Sequence, residues 1–340
     1  MTIPSSSDFT PEQQSTLPFR KVYPLVAGVA MGILLRLFFS GLPGTGWSAM
    51  AGAFIYGAPI FVGAVTVYVA ELKERRGWAY YFWAPFIANS LFVLGTLLIM
   101  IEGLICAIVI IPLFSALGAL GGLAMGIICR LTNWPKQTLS ALAILPLALG
   151  FAGDLLPTPQ EFSRVESSIF ISARPEAVWQ QITQAKDISP DDFKGSWAAR
   201  IGVPMPLAGV TIYEAGSSPT GYVRRAGWEK KVHFEGVITD WQPAQYLRWT
   251  YRFSPDSFPK HALDDHVMIG GHYFDLIDTR FKLVAVNGGT KLTVSASYRV
   301  STQFNFYAER VAQFLLGNML DTAAGFFKYR SEAPQPEPKA

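Results

Sequence analysis

The chain has 340 residues, 50% hydrophobic and 16% charged, with 28 Lys and Arg against 25 Asp and Glu for a net charge of +3. A mean hydropathy of +0.27 excludes a chain that is wholly water-exposed or disordered. So small a net charge, with no Lys/Arg cluster interleaved with aromatics, leaves nucleic acid little to bind, and none is expected as a partner.

The charge is unevenly spread: residues 1–154 hold 8 Lys/Arg and 6 Asp/Glu, and the rest lie in residues 155–340. An apolar half therefore precedes an ordinary globular half. Residues 1–20, rich in Ser and Pro, are expected to be disordered. They precede the first apolar run, which does not resemble a secretory leader and is expected to stay in the mature protein.

A bilayer core asks for about 20 apolar residues per helix, and residues 21–154 supply about five such runs: 22–42, 47–70, 80–101, 104–129 and 138–153. The expectation is an all-α transmembrane bundle, with the fifth run, short and carrying Pro146, its least regular member. Lys and Arg are retained on the cytoplasmic side. Arg20 and Lys21, then Lys73, Arg75 and Arg76, then Arg130 and Lys136 occupy alternate connections, while the intervening ones hold none. This predicts an integral inner (plasma) membrane protein with a cytoplasmic N-terminus. If all five runs cross, residues 155–340 lie outside the cytoplasm, and if the fifth does not, the side reverses.

Within the apolar half, Arg36 and Glu102 are expected at the same outer face, where Arg36 can snorkel and pair with Glu102. Gly118, Gly122 and Gly126 recur every four residues, as do Gly28 and Gly32, a spacing that lets helices associate closely. Trp47, Trp78, Trp83 and Trp134 near the ends of runs fit interfacial anchors.

Residues 155–163, with Pro157 and Pro159, read as a linker. Residues 165–172 alternate as a strand, and 175–184 form a helix opened by Pro175 that presents Val178, Trp179 and Ile182. A short helical turn is expected at 185–189. Strand-like sequence fills 210–300, with well-marked strands at 231–239, 246–253, 281–286 and 290–300 and a hairpin turn at Asn287-Gly288-Gly289. Residues 305–329 read as one long amphipathic helix with Tyr307, Val311, Phe314, Leu315 and Ala323 on its buried stripe. Residues 331–340 read as a disordered tail.

This order, a strand, a helix, a small helix, an antiparallel run of about six strands and a long C-terminal helix, is α+β, a curved antiparallel sheet around one long helix. Three segments resemble the START-like, or SRPBCC, superfamily of polyketide cyclases, lipid-transfer domains and helix-grip allergens. They are Val165-Glu166-Ser167-Ser168-Ile169-Phe170-Ile171 running on to Trp179, Phe234-Glu235-Gly236-Val237-Ile238-Thr239-Asp240-Trp241 with Leu247-Arg248-Trp249, and Gly289-Thr290-Lys291-Leu292-Thr293-Val294. The resemblance covers residues 164–330 and implies a helix-grip domain with an apolar cavity between sheet and C-terminal helix. Phe234, Trp249, Tyr251, His272, Phe274, Tyr298 and Phe314 would line it, and a lipid or other hydrophobic small molecule would fill it. The same aromatics could instead fill a core.

Candidate acid–base groups are His233 with Glu235, two apart on one strand, and His272 with Asp275. If Phe234 points inward, His233 and Glu235 point to solvent. His261, Asp264, Asp265 and His266 have the donor types of a divalent-metal site but sit in a Pro-flanked, charged loop that is as readily solvated, so neither metal nor cofactor is expected. Arg248, Arg280 and Arg299 could pair with acidic groups or meet an anionic head group. Cys106 and Cys129 both fall in the apolar half, so no disulfide or cysteine nucleophile serves the globular one. No hydrolase elbow, P-loop, dinucleotide fingerprint or zincin motif occurs. The sequence thus supports a membrane-anchored ligand-binding domain first. A cyclase or dehydratase using His272 or His233 with a carboxylate, and an interaction module of a membrane complex, are the alternatives.

Overall fold

The computed structural model describes residues 18–132, 158–193, 195–259, 262–263 and 268–333. The fifth apolar run and most of both terminal stretches fall outside these residues, as do His261, Asp264, Asp265 and His266. The chain divides into two compact units, Met1–Pro157 and Thr158–Ala340.

The first unit is helical: α1 (Pro18–Phe38), a π-helical turn (Ala53–Gly57) that leads into α2 (Ala58–Glu71), α3 (Trp78–Leu98) and α4 (Leu104–Thr132). Three stretches, 53–71, 78–98 and 104–132, are long and apolar enough to cross a membrane, and α1 adds a shorter apolar stretch, 22–38. Large apolar side chains such as Leu34, Leu91, Leu94 and Leu120 face outward, which a water-exposed bundle avoids.

The glycines set the helix spacing. A Cβ on Gly63 of α2 would overlap the Gly118 carbonyl oxygen of α4, one on Gly121 the Ile60 carbonyl oxygen, and those on Gly122 and Gly126 the Pro85 and Tyr81 side chains of α3. Gly118, Gly122 and Gly126 thus seat α4 against α2 and α3 of the same chain. The anticipated Arg36–Glu102 pair forms, Nε to Oε1 at 2.5 Å, with both side chains largely buried. At the other end of α2 and α3, Tyr81 donates to Glu71 Oε1 at 2.7 Å, and Arg130 donates to Tyr81 Oη at 3.2 Å and to the Arg76 carbonyl at 2.8 Å.

The second unit is α+β. Its elements are β1 (Glu161–Ile171), α5 (Pro175–Thr183), β2 (Gln184–Ala185), a 3-10 turn (Pro190–Phe193), α6 (Trp197–Arg200), β3 (Pro206–Tyr213) and β4 (Tyr222–Trp228). There follow β5 (His233–Gln242), β6 (Tyr246–Arg252), β7 (Phe274–Val286), β8 (Gly289–Val300) and α7 (Asn305–Glu332). All eight strands form one curled antiparallel sheet in the order β1-β8-β7-β6-β5-β4-β3-β2. The long helix α7 packs on β1 and β8 and touches α5 and α6.

Three local expectations change. Where a helical turn was expected at 185–189, Gln184 and Ala185 pair with Val210 and Gly209 of β3, and the helical turns come later, at the 3-10 turn and α6. The first strand begins at Glu161, inside the expected linker, because it pairs with β8 along its whole length, from Glu161 opposite Val300 to Ile171 opposite Thr290. The long helix continues past residue 330, with Glu332 accepting from the Ser172 N–H.

Candidate functional site

A cavity of about 150 Å³ lies inside the second unit, between the concave face of the sheet and α7. Strand alternation builds its sheet side: on β4 Arg224, Ala226 and Trp228, on β6 Trp249 and Tyr251, and on β8 Val294 and Ala296 face inward. On α7, Leu316, Met319, Leu320, Ala323 and Phe327 close it, a stripe at helical spacing. Phe234 completes an aromatic wall, its ring centroid 5.7 Å from that of Trp228 and 5.3 Å from that of Tyr251.

Three of the seven residues expected to line a cavity do so: Phe234, Trp249 and Tyr251. The other four do not. Phe314 is 57% exposed, because it lies two positions, about 200° of helical rotation, from Leu316 on the cavity stripe. Tyr298 shares a sheet face with Val294 and Ala296 but sits beyond the cavity, fully buried, donating to Glu309 Oε1 at 3.3 Å. Burial and the Glu309 charge push its hydroxyl up to about 12. Phe274 shares its face with Leu276, which lines the cavity, but packs on Tyr298, one step further along the sheet and beyond the cavity. His272 precedes β7, exposed, and its carbonyl accepts from Arg299 at 3.0 Å.

The acid–base candidates separate likewise. The His233 ring is solvent-facing and approaches Asp256 at 3.5 Å, while Glu235 lies between Arg225 at 3.9 Å and Arg252 at 3.5 Å. Burial pushes the Asp275 carboxyl up, with Arg299 opposing, yet Asp275 does not line the cavity. Among the described residues no carboxylate or imidazole lines it. Among them, too, no group of three His, Cys, Asp or Glu is placed to hold a metal ion.

Of the three strand-arginine candidates, Arg248 and Arg280 make structural ion pairs and Arg299 bonds to backbone carbonyls. Asp278, buried, accepts from Arg248 Nη2 at 2.8 Å and Arg280 Nη2 at 2.7 Å, and Arg299 donates to the Gly271 carbonyl at 2.8 Å. Burial alone would raise the Asp278 carboxyl, but hydrogen bonds from Arg280, Ser297 and Arg248 outweigh it and hold the group below its ordinary value.

The cavity's polar groups are Arg224, Tyr251 with Thr279, whose hydroxyls lie 2.6 Å apart, and the Trp249 Nε1, which is buried without a completed hydrogen bond. Trp249 and Tyr251 were sequence candidates, as aromatic lining, whereas Arg224 and Thr279 were not. Burial pushes the Tyr251 hydroxyl up to about 12, so it is a neutral hydroxyl at neutral pH. Arg224 did carry a sequence signal: it shares strand parity with Ala226 and Trp228, so an inward-facing arginine was implied once β4 was placed.

No protein-family model matches the chain, and no curated protein does. Solved structures overlap half of it. A Thermus thermophilus protein is 15% identical, covering 50% of this chain and 97% of its own at a TM-score of 0.32. A Rhizobium leguminosarum protein is 12% identical, covering 51% and 99% at 0.31. Ara h 8.0201 is 14% identical, covering 50% and 98% at 0.27. At such identities and scores these overlaps say nothing about ligand or activity.

Proposed function

We propose that this is an integral membrane protein whose C-terminal unit is a START-like domain that binds a lipid or other hydrophobic small molecule between its sheet and α7. The observation that carries the reading is the cavity itself: about 150 Å³, walled by aromatic and aliphatic side chains with few polar groups. Apolar walls with a few converging polar groups are the usual character of small-molecule sites. Apolar side chains that face an empty pocket forgo contacts that a hydrophobic occupant would supply. The lining favours binding over acid–base catalysis, because His233, Glu235, His272 and Asp275 all lie off the cavity.

The membrane part of the proposal rests on the long apolar helices and their outward-facing side chains. Anchoring keeps a lipid-binding domain at high local concentration near lipid. The distribution of Lys and Arg supports a cytoplasmic N-terminus and, with five crossings, a C-terminal unit outside the cytoplasm; if the fifth run does not cross, the side reverses.

Native mass spectrometry and solvent extraction of the full chain, purified with membranes, test the binding reading. The expected result is a hydrophobic molecule at one per chain, lost in Ala296→Phe, which fills the cavity from β8. A wild-type chain that carries nothing and takes up nothing from a lipid panel overturns it in favour of an interaction module.

A further inference from the structure

Arg224 is the one charged side chain among the described residues that line the cavity, and it is 7% exposed. Its Nη1 donates to the Ile182 carbonyl at 2.7 Å, and its guanidinium carbon lies 5.2 Å from the centroid of the Trp249 ring. A guanidinium has five N–H donors, and no Asp or Glu among the described residues pairs with this one. The contrast within the same unit is sharp: Arg248 and Arg280 share Asp278, and Arg225 has Glu214 and Glu235.

The guanidinium is also seated, not loose. A Cβ on Gly209 of β3 would collide with Nη2, and one on Gly236 of β5 would come 3.2 Å from the Arg224 Cβ, so two bare backbones make its berth. Burying an unneutralised cation in an apolar site is expensive, and an opposite charge brought in by a ligand relieves that cost. Burial lowers this group to about 10, which still leaves it charged at neutral pH. The Tyr251 and Thr279 hydroxyls add neutral hydrogen-bonding capacity to the same cavity.

We propose that the ligand is an apolar molecule ending in one anionic oxygen group, a carboxylate or a phosphate monoester, whose oxygens pair with Arg224. This rests on the cavity being a binding site and adds the class of its occupant. The volume of about 150 Å³ holds one ring or one short chain, and the cavity is partly open, which leaves room for a longer chain to extend from it.

The test is calorimetric titration of the full chain in amphipol with three eight-carbon probes: octanoate, octyl phosphate and octanol. The expected result is that at least one anion binds tenfold or more tighter than octanol. Arg224→Met should remove that preference, and Arg224→Lys should keep part of it. Octanoate ahead of octyl phosphate assigns the carboxylate, and the reverse order assigns the phosphate. Equal binding of all three probes overturns the anion proposal and leaves the cavity reading standing. Binding of none overturns both. The wild-type ratio decides the question even where a variant fails to fold.

Discussion

Arg224 and Trp249 meet at the cavity wall across an intervening strand: the guanidinium carbon of one lies 5.2 Å from the ring centroid of the other. The strand between them is β5, and at that point it carries Gly236, which pairs with Arg224 in the β4–β5 ladder. A Cβ there would come 2.8 Å from Trp249 Cδ1. Gly236→Ala is therefore expected to push the indole off the guanidinium and destabilise the second unit by about 1 to 3 kcal/mol. Denaturant unfolding followed by near-ultraviolet circular dichroism measures it, and an unchanged midpoint would show that the ring moves aside freely.

Asp278 should make the second unit acid-sensitive. Its folded-state carboxyl sits below the ordinary value of 3.8, so its contribution is fully present above that value and is lost as pH falls through the lower folded-state value. Asp278→Asn keeps the shape but removes the charge shared by Arg248 and Arg280. The expected loss is about 2 to 3 kcal/mol at neutral pH, with a flatter stability profile below about pH 4. Thermal unfolding across pH 2.5 to 7 reads both effects, and parallel profiles for variant and wild type would contradict them.

Glycines of the two units should respond in opposite directions. Gly63→Ala puts a methyl group into the Gly118 carbonyl oxygen, whereas Gly317→Ala in α7 meets nothing within 4 Å. The first should lower the stability of the helical unit by about 1 to 3 kcal/mol. The second should stabilise α7 by up to about 1 kcal/mol from helix propensity. Melting temperatures of the two variants, measured side by side in one detergent, check the sign of each.

Arg36 and Glu102 are largely buried together, so removing either charge leaves the other buried without this partner. Arg36→Gln or Glu102→Gln alone is expected to cost about 3 kcal/mol, and the double variant less than the sum of the two. A double-mutant cycle on unfolding in detergent gives the coupling, and strict additivity would mean that the pair contributes nothing.

The expected topology is checked with alkaline phosphatase fused after residue 340. Activity of the fusion places the C-terminal unit outside the cytoplasm, as five crossings require. An inactive fusion that is fully expressed reverses the side and means that run 138–153 does not cross.

Much of the architecture was legible because it depends on local period. Mean apolarity over about 20 residues marked the runs that became α2, α3 and α4, and two-residue alternation put Phe234, Trp249 and Tyr251 on an inward face. The Asn287-Gly288-Gly289 turn likewise marked the β7–β8 hairpin before any partner was known. What failed did so where a long-range contact overrides the period: the early start of β1 along β8 and the pairing of Gln184 and Ala185 with β3.

By itself, then, the sequence determined an apolar helical half and a globular α+β half, the strand faces, and the spacing of small residues in α4, since each follows from composition or from a repeat within one element. Only the tertiary structure decided which side of α7 faces the sheet, turning Phe314 out and Leu316 and Met319 in. It also decided that Gly118, Gly122 and Gly126 serve contacts within the chain, and that Arg224 is buried without a carboxylate beside it. Helix rotation, the choice of packing partner and the pairing of a charge are relations between distant segments, and no local pattern carries them.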